Sequence, residues 1–150
     1  MRKVESEQDK ESLIEAVNSW TKPVWIETTY EAPERSSMQR KLAEAWYTDI
    51  SKQSENGRSY ERNYYRLTFG VPILLASNLK KSQEFRDTWN HGLVHYDYEF
   101  RLRAMGIVKV TSLMSVAEMT EYLREIEQDV NNRGLVLHTI EDYDIAMGNS

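Results

Sequence analysis

The stretch Ile107-Val108-Lys109-Val110-Thr111-Ser112-Leu113-Met114-Ser115-Val116-Ala117-Glu118-Met119 carries two different signals in succession. Residues 107–111 are rich in β-branched types and read as a short strand. From Ser115 the pattern changes. Ser at the cap with Glu three residues on has the spacing of a capping box, in which each side chain satisfies a free amide of the first turn. Val116, Met119, Leu123, Ile126 and Val130 then recur at three- and four-residue steps, the narrow apolar seam of a packed helix, and Gly134 is placed to end it. Leu135-Val136-Leu137 reads as a closing strand. The tail over 141–150 has little apolar periodicity and is expected to fray.

Working outward, Leu13, Ile14, Val17 and Trp20 share a helical face between Ser6 and Trp20, and Pro23 stops that helix. Val24-Trp25-Ile26-Glu27-Thr28-Thr29-Tyr30 reads as a strand. A second helix opens around Pro33 and Ser36 and presents Met38, Leu42, Trp46 and Ile50 to a core, ending near Ser54 before the Asn56-Gly57 turn. A third runs from about Ser59 to Phe69 and is expected to stop at Gly70-Val71-Pro72; residues 78–104 read as one or two further helices. The expected fold is α+β, a small β-sheet packed by several α-helices, in a single domain spanning residues 1–150.

The chain has 150 residues and no cysteine. That excludes a disulfide scaffold, a thiolate zinc site, an iron–sulfur cluster and cysteine nucleophiles. No apolar run approaches the roughly 18 residues of a membrane-spanning helix, and no apolar core lies behind the two basic residues at the start, so a soluble, cytoplasmic protein without a membrane partner is expected. The net charge of −5 conceals a division. Residues 35–109 hold 13 Lys and Arg against 8 Asp and Glu, whereas residues 1–34 hold 4 against 8 and residues 110–150 hold 2 against 8. A basic centre lies between acidic ends, so the acidic total is no objection to a polyanionic ligand.

Catalytic signals are absent. No glycine-rich phosphate loop and no G-x-S-x-G elbow occurs. His91 and His95, four apart, would share a helical face as in a zinc hydrolase, but Gly92 stands where H-E-x-x-H places its glutamate. No catalytic residue, metal or cofactor is expected. The basic centre is more informative, because cations there interleave with aromatic residues, the composition that holds single-stranded nucleic acid through phosphate contacts and base stacking. Arg58, Arg62 and Arg66 form a four-residue stripe. Trp46 and Tyr64 fall on apolar helical faces and are expected in the core, which leaves Tyr47 and Tyr65 as the stacking candidates.

The wording of three segments resembles the NinB/Orf family of lambdoid phage recombination proteins: Thr21-Lys22-Pro23-Val24, Arg35-Ser36-Ser37-Met38-Gln39-Arg40-Lys41 and Asp49-Ile50-Ser51-Lys52-Gln53. Residues 110–119 and the helix running to Gly134-Leu135-Val136-Leu137 resemble its C-terminal strand, helix and closing strand. Arg40 stands where the family pattern has Asn, and residues 70–106 exceed the corresponding stretch. The resemblance implies a non-enzymatic, homodimeric recombination mediator in the host cytoplasm. It would bind single-stranded DNA, with duplex left open, contact the host single-strand-binding protein and assist recombinase loading. It also implies that Arg35, Gln39, Lys41 and Lys52 touch DNA, to which charge adds Arg40. Two other readings stand beside it: an adaptor that contacts single-strand-binding protein or recombinase without gripping DNA, and a small metal-dependent nuclease resting on His91 and His95.

Overall fold

The computed structural model describes residues 32–137 and 143–148, with side chains from residue 35 onward. The helix expected over 6–20 and the strand expected over 24–30 lie outside the described residues. Among those described, every regular element is helical. In chain order they are α1 (Ala32–Gln53), α2 (Arg58–Tyr65), α3 (Val71–Ala76), α4 (Gln83–His91), α5 (Tyr98–Ala104), α6 (Val116–Asn132) and α7 (Tyr143–Met147). Short 3-10 turns at Lys80–Ser82, Leu93–His95 and Thr111–Leu113 link them. For the described residues, the α+β expectation is therefore corrected to an all-α arrangement.

The two strands expected within this region fail for identifiable reasons. After α5, the amides of Ile107 and Val108 both donate to Ala104 O, continuing the helical turn rather than joining a ladder. Ile107 is 88% exposed, so no neighbouring strand covers it, while Val110 turns inward to the core and residues 111–113 coil into the 3-10 turn. At the other site, a side chain occupies the place of a partner strand. Gln53, in the last turn of α1, donates from Nε2 to Val136 O at 2.6 Å and accepts from the Val136 amide at 2.9 Å.

Long α1 is the axis of the fold, with α2, α6 and α7 packed against it. Leu42, Ala43, Trp46, Tyr47 and Ile50 are buried along one stripe, as three- and four-residue spacing dictates. Opposite lie Met119, Tyr122, Leu123, Ile126 and Val130 of α6, all buried. The expected capping box is present: Ser115 Oγ accepts from the Glu118 amide at 3.1 Å and Glu118 Oε1 accepts from the Ser115 amide at 2.9 Å. Gly134 takes φ +74°, the left-handed conformation that suits glycine after a helix. The tail does not fray throughout, because Ala146 and Met147 of α7 are buried.

The third helix does not stop at Gly70-Val71-Pro72. A five-residue π-turn, Arg66–Gly70, joins α2 to α3, with the Val71 amide donating to Arg66 O. Pro72 follows directly, and the wider π-turn ahead of it accommodates a residue that has no amide proton to donate. Gly70 is required at this junction. A Cβ there would lie 2.8 Å from Val110 Cγ1 and 3.5 Å from Tyr122 Cε1, so the helix backbone approaches α6 closely.

Candidate nucleic-acid interface

The residues expected to touch DNA divide into an interior set and a surface set. Gln39 is fully buried, and its Nε2 lies 2.8 Å from Thr120 Oγ1, 3.1 Å from Ala146 O and 3.2 Å from Val116 O. Its Oε1 has no hydrogen-bond partner among the described residues. Arg35 joins the same knot, donating to Thr120 Oγ1 at 3.0 Å and Ala146 O at 3.3 Å. Both side chains fasten α1 to α6 and α7 and turn away from any ligand on the surface. Arg40, Lys41 and Lys52 are exposed. Arg40 reaches back one turn to Ser36 Oγ at 2.8 Å. Lys41 and Lys52 are eleven residues apart, three helical turns, so they share a face about 17 Å apart along the axis.

Tyr47 and Tyr65, the expected stacking residues, are both fully buried and offer no ring face to a base. Tyr47 pairs with Tyr122 through their hydroxyls at 2.6 Å, and burial pushes both phenols up from their ordinary pKa. Tyr65 donates to Asp129 Oδ2 at 2.7 Å and accepts from Arg133 at 2.9 Å; burial and the Asp129 hydrogen bond push its phenol up as well. An aromatic residue's face on its own helix does not predict burial once a second helix packs there. Tyr47 meets α6, and Tyr65 meets the end of the same helix.

The arginine stripe follows the same logic. Arg58 forms an ion pair with Glu44, donates to Thr48 Oγ1 at 3.0 Å and lies 5.8 Å over the Tyr47 ring. Arg66 donates to Met105 O at 3.1 Å, with a buried Nε. Arg62 donates to Asn63 Oδ1 at 3.1 Å and lies beside Gly106, where Nη2 would be 3.5 Å from an added Cβ. All three are half-buried: Arg58 ties α2 to α1, Arg66 ties the π-turn to the residue after α5, and Arg62 lies against Gly106.

A surface that the sequence reading missed has the expected composition. α5 packs on α2 and is preceded by Tyr96; Tyr96, Tyr98 and Phe100 are all exposed, and Tyr98 comes near the Tyr60 and Tyr64 phenols. Tyr96 and Phe100 stack at 4.3 Å between centroids, yet remain 53% and 40% exposed. Tyr60 and Tyr64 form a second pair at 6.5 Å, nearly parallel at 9°. Partial burial raises the Tyr98 phenol, and the phenols of Tyr60 and Tyr64 raise it further. Asp97 caps α5 by accepting from the Phe100 amide at 2.9 Å, which fixes where the aromatic side chains emerge. Exposed Arg103 lies three residues after Phe100, on the same side of the helix, and Arg101 sits 5.8 Å over the Trp89 ring. The signal was present in Tyr96-Asp97-Tyr98-Glu99-Phe100-Arg101-Leu102-Arg103, where aromatic residues alternate with charges.

A ring nitrogen of His91 meets Asp87 O of its own helix at 2.9 Å. Among the described residues no group of three or more His, Asp or Glu could hold a metal ion. No helix there is long and apolar enough to cross a membrane. A groove of about 400 Å³ runs between α3 and α6, floored by Phe69, Pro72 and Ile73 and rimmed by Glu118, Glu121 and Glu125. The chain matches no protein-family model, no curated protein sequence and no solved structure.

Proposed function

We propose that this chain binds single-stranded DNA and serves recombination in the host cytoplasm as a non-enzymatic homodimer, assisting recombinase loading onto strands covered by single-strand-binding protein. The observation that carries the binding reading is the solvent-facing stack of Tyr96 and Phe100, with exposed Arg103 one helical turn beyond Phe100. Open aromatic faces are where bases stack, at about 1–3 kcal/mol each, and nearby guanidinium groups hold phosphates. The recombination role is supported by the resemblance of the Arg35–Lys41 and Asp49–Gln53 segments to the NinB/Orf family. The test is fluorescence anisotropy with matched single- and double-stranded oligonucleotides across a salt series. Tyr96→Ala with Phe100→Ala should weaken single-strand binding at least tenfold, and unchanged affinity in that variant would overturn the reading.

A second reading, the adaptor, is favoured by the acidic-rimmed apolar groove between α3 and α6. Purified single-strand-binding protein and recombinase that remain bound to this chain after nuclease treatment, while naked oligonucleotide does not bind, would select it.

A further inference from the structure

A second concavity, of about 380 Å³, opens between α4 and the segment after α5. That volume lies in the range of small-molecule sites, roughly 300–1,000 Å³. Phe85, Val108 and Leu113 supply apolar walls, Thr88 stands at the edge, and Lys81, Lys109 and Glu84 line the same pocket. Lys81 is steadied by donating to Met114 O at 3.2 Å, while Lys109 extends from an exposed backbone. Two cations against one carboxylate, around an aromatic and aliphatic wall, suit a flat apolar ring joined to an anion. A nucleotide has that chemistry.

Position argues for a nucleotide within a strand rather than a free one. Gly106 lies beside Arg62, and Met105 O is held by Arg66, so the segment leaving α5 starts against the arginines of α2 and the π-turn. Three residues later it lines the pocket through Val108 and Lys109, and three residues span at most about 10 Å. The aromatic face at the start of α5 and the pocket beyond its end are thus joined by one short run of chain.

We infer that this pocket receives one base of a single strand lying across α5, with Lys109 and Lys81 holding the phosphates on either side of it. The inference rests on the strand-binding reading above and extends it from an open stacking surface to a concave base site. Lys109→Ala and Thr88→Trp test it, because both positions are exposed and neither enters a hydrogen bond given above; unchanged circular dichroism and melting temperature confirm folding. The probe is a thymidine 12-mer, titrated by anisotropy over a salt series, with photo-crosslinking of a 5-iodouracil version. Thr88→Trp should weaken binding about tenfold by closing the pocket, within what stacking one base supplies. Lys109→Ala should make the slope of log K against log salt shallower by about 0.7, one phosphate contact on a single strand. Crosslinks should map to Phe85 or to residues 108–113. Wild-type binding with both variants unchanged and crosslinks elsewhere overturns the pocket while leaving the strand-binding reading intact. Absence of wild-type binding overturns both. Capture of an acidic, aromatic peptide by the pocket, lost in Lys109→Ala while oligonucleotide affinity is unchanged, overturns it in favour of protein docking.

Discussion

Glu61, fully buried in α2, receives both guanidinium nitrogens of Arg133 from the far end of α6, at 3.0 and 3.2 Å. Burial alone would raise the Glu61 carboxyl, but hydrogen bonds from Arg133, Ser54 and Asn56 together outweigh it and hold the pKa below 4.5. A depressed folded pKa gives stability that is present above the unfolded value and lost as pH falls through the folded one. Thermal melts from pH 7 downward should therefore show a fall in Tm beginning below about 4.5, and Glu61→Gln should flatten that fall.

Arg133→Ala strands the Glu61 carboxylate and removes a partner of Tyr65. The expected loss is about 3 kcal/mol, read from urea unfolding, because an uncompensated buried charge costs more than the pair contributed. A loss under about 1 kcal/mol would mean that water reaches Glu61 in the variant.

Gly70→Ala sets two effects against each other. Alanine favours the helix by about 1 kcal/mol over glycine, but the new methyl group would sit 2.8 Å from Val110 Cγ1. Val110 is β-branched and buried, so it has little room to turn aside, and overpacking of this kind costs about 1–3 kcal/mol. The variant should be less stable in calorimetry. Adding Val110→Ala should recover part of the loss by making space.

Gln39→Leu tests whether this buried amide is structural. It removes the hydrogen bonds to Thr120 Oγ1, Val116 O and Ala146 O, the last of which keeps Arg35 as a donor, and should cost about 1–3 kcal/mol. Oligonucleotide affinity of the folded variant should be unchanged, since the side chain has no surface exposure. A selective loss of binding at unchanged stability would return Gln39 to the DNA-contacting set.

Charge reversal at Lys41 and Lys52 asks whether the exposed face of α1 joins the strand path. Both residues are exposed, so folding should be preserved. A reduction in affinity with a shallower salt slope places phosphates along α1, whereas no change confines the path to α2, α5 and the adjoining pocket.

Local signals with a strong physical cause were legible in the sequence. The four-residue recurrence of Met38, Leu42, Trp46 and Ile50 gave α1, and Ser115 with Glu118 gave the start of α6 together with its seam. What misled was the β-branched composition of 107–111 and the short apolar run at 135–137. Composition marks residues that fit a strand, but a strand also needs a partner, and the partner here is a helical carbonyl in one case and the Gln53 amide in the other. The site was partly legible for a similar reason. Cations and aromatic residues interleave in the basic centre, yet which of them reach solvent depends on tertiary packing. α6 covers Tyr47 and Tyr65, while no described element covers Tyr96 and Phe100.

The Gln53 amide also bears on how the molecule behaves in a crowded cell. A strand at 135–137 would present open backbone groups along a sheet edge, a template on which another copy can pair. One side chain instead occupies both the donor and the acceptor of Val136, in a segment whose Val136 side chain is exposed. It acts as a plug against self-recruitment, and Gln53→Ala should show it as concentration-dependent aggregation, with little change in the melting temperature of dilute protein.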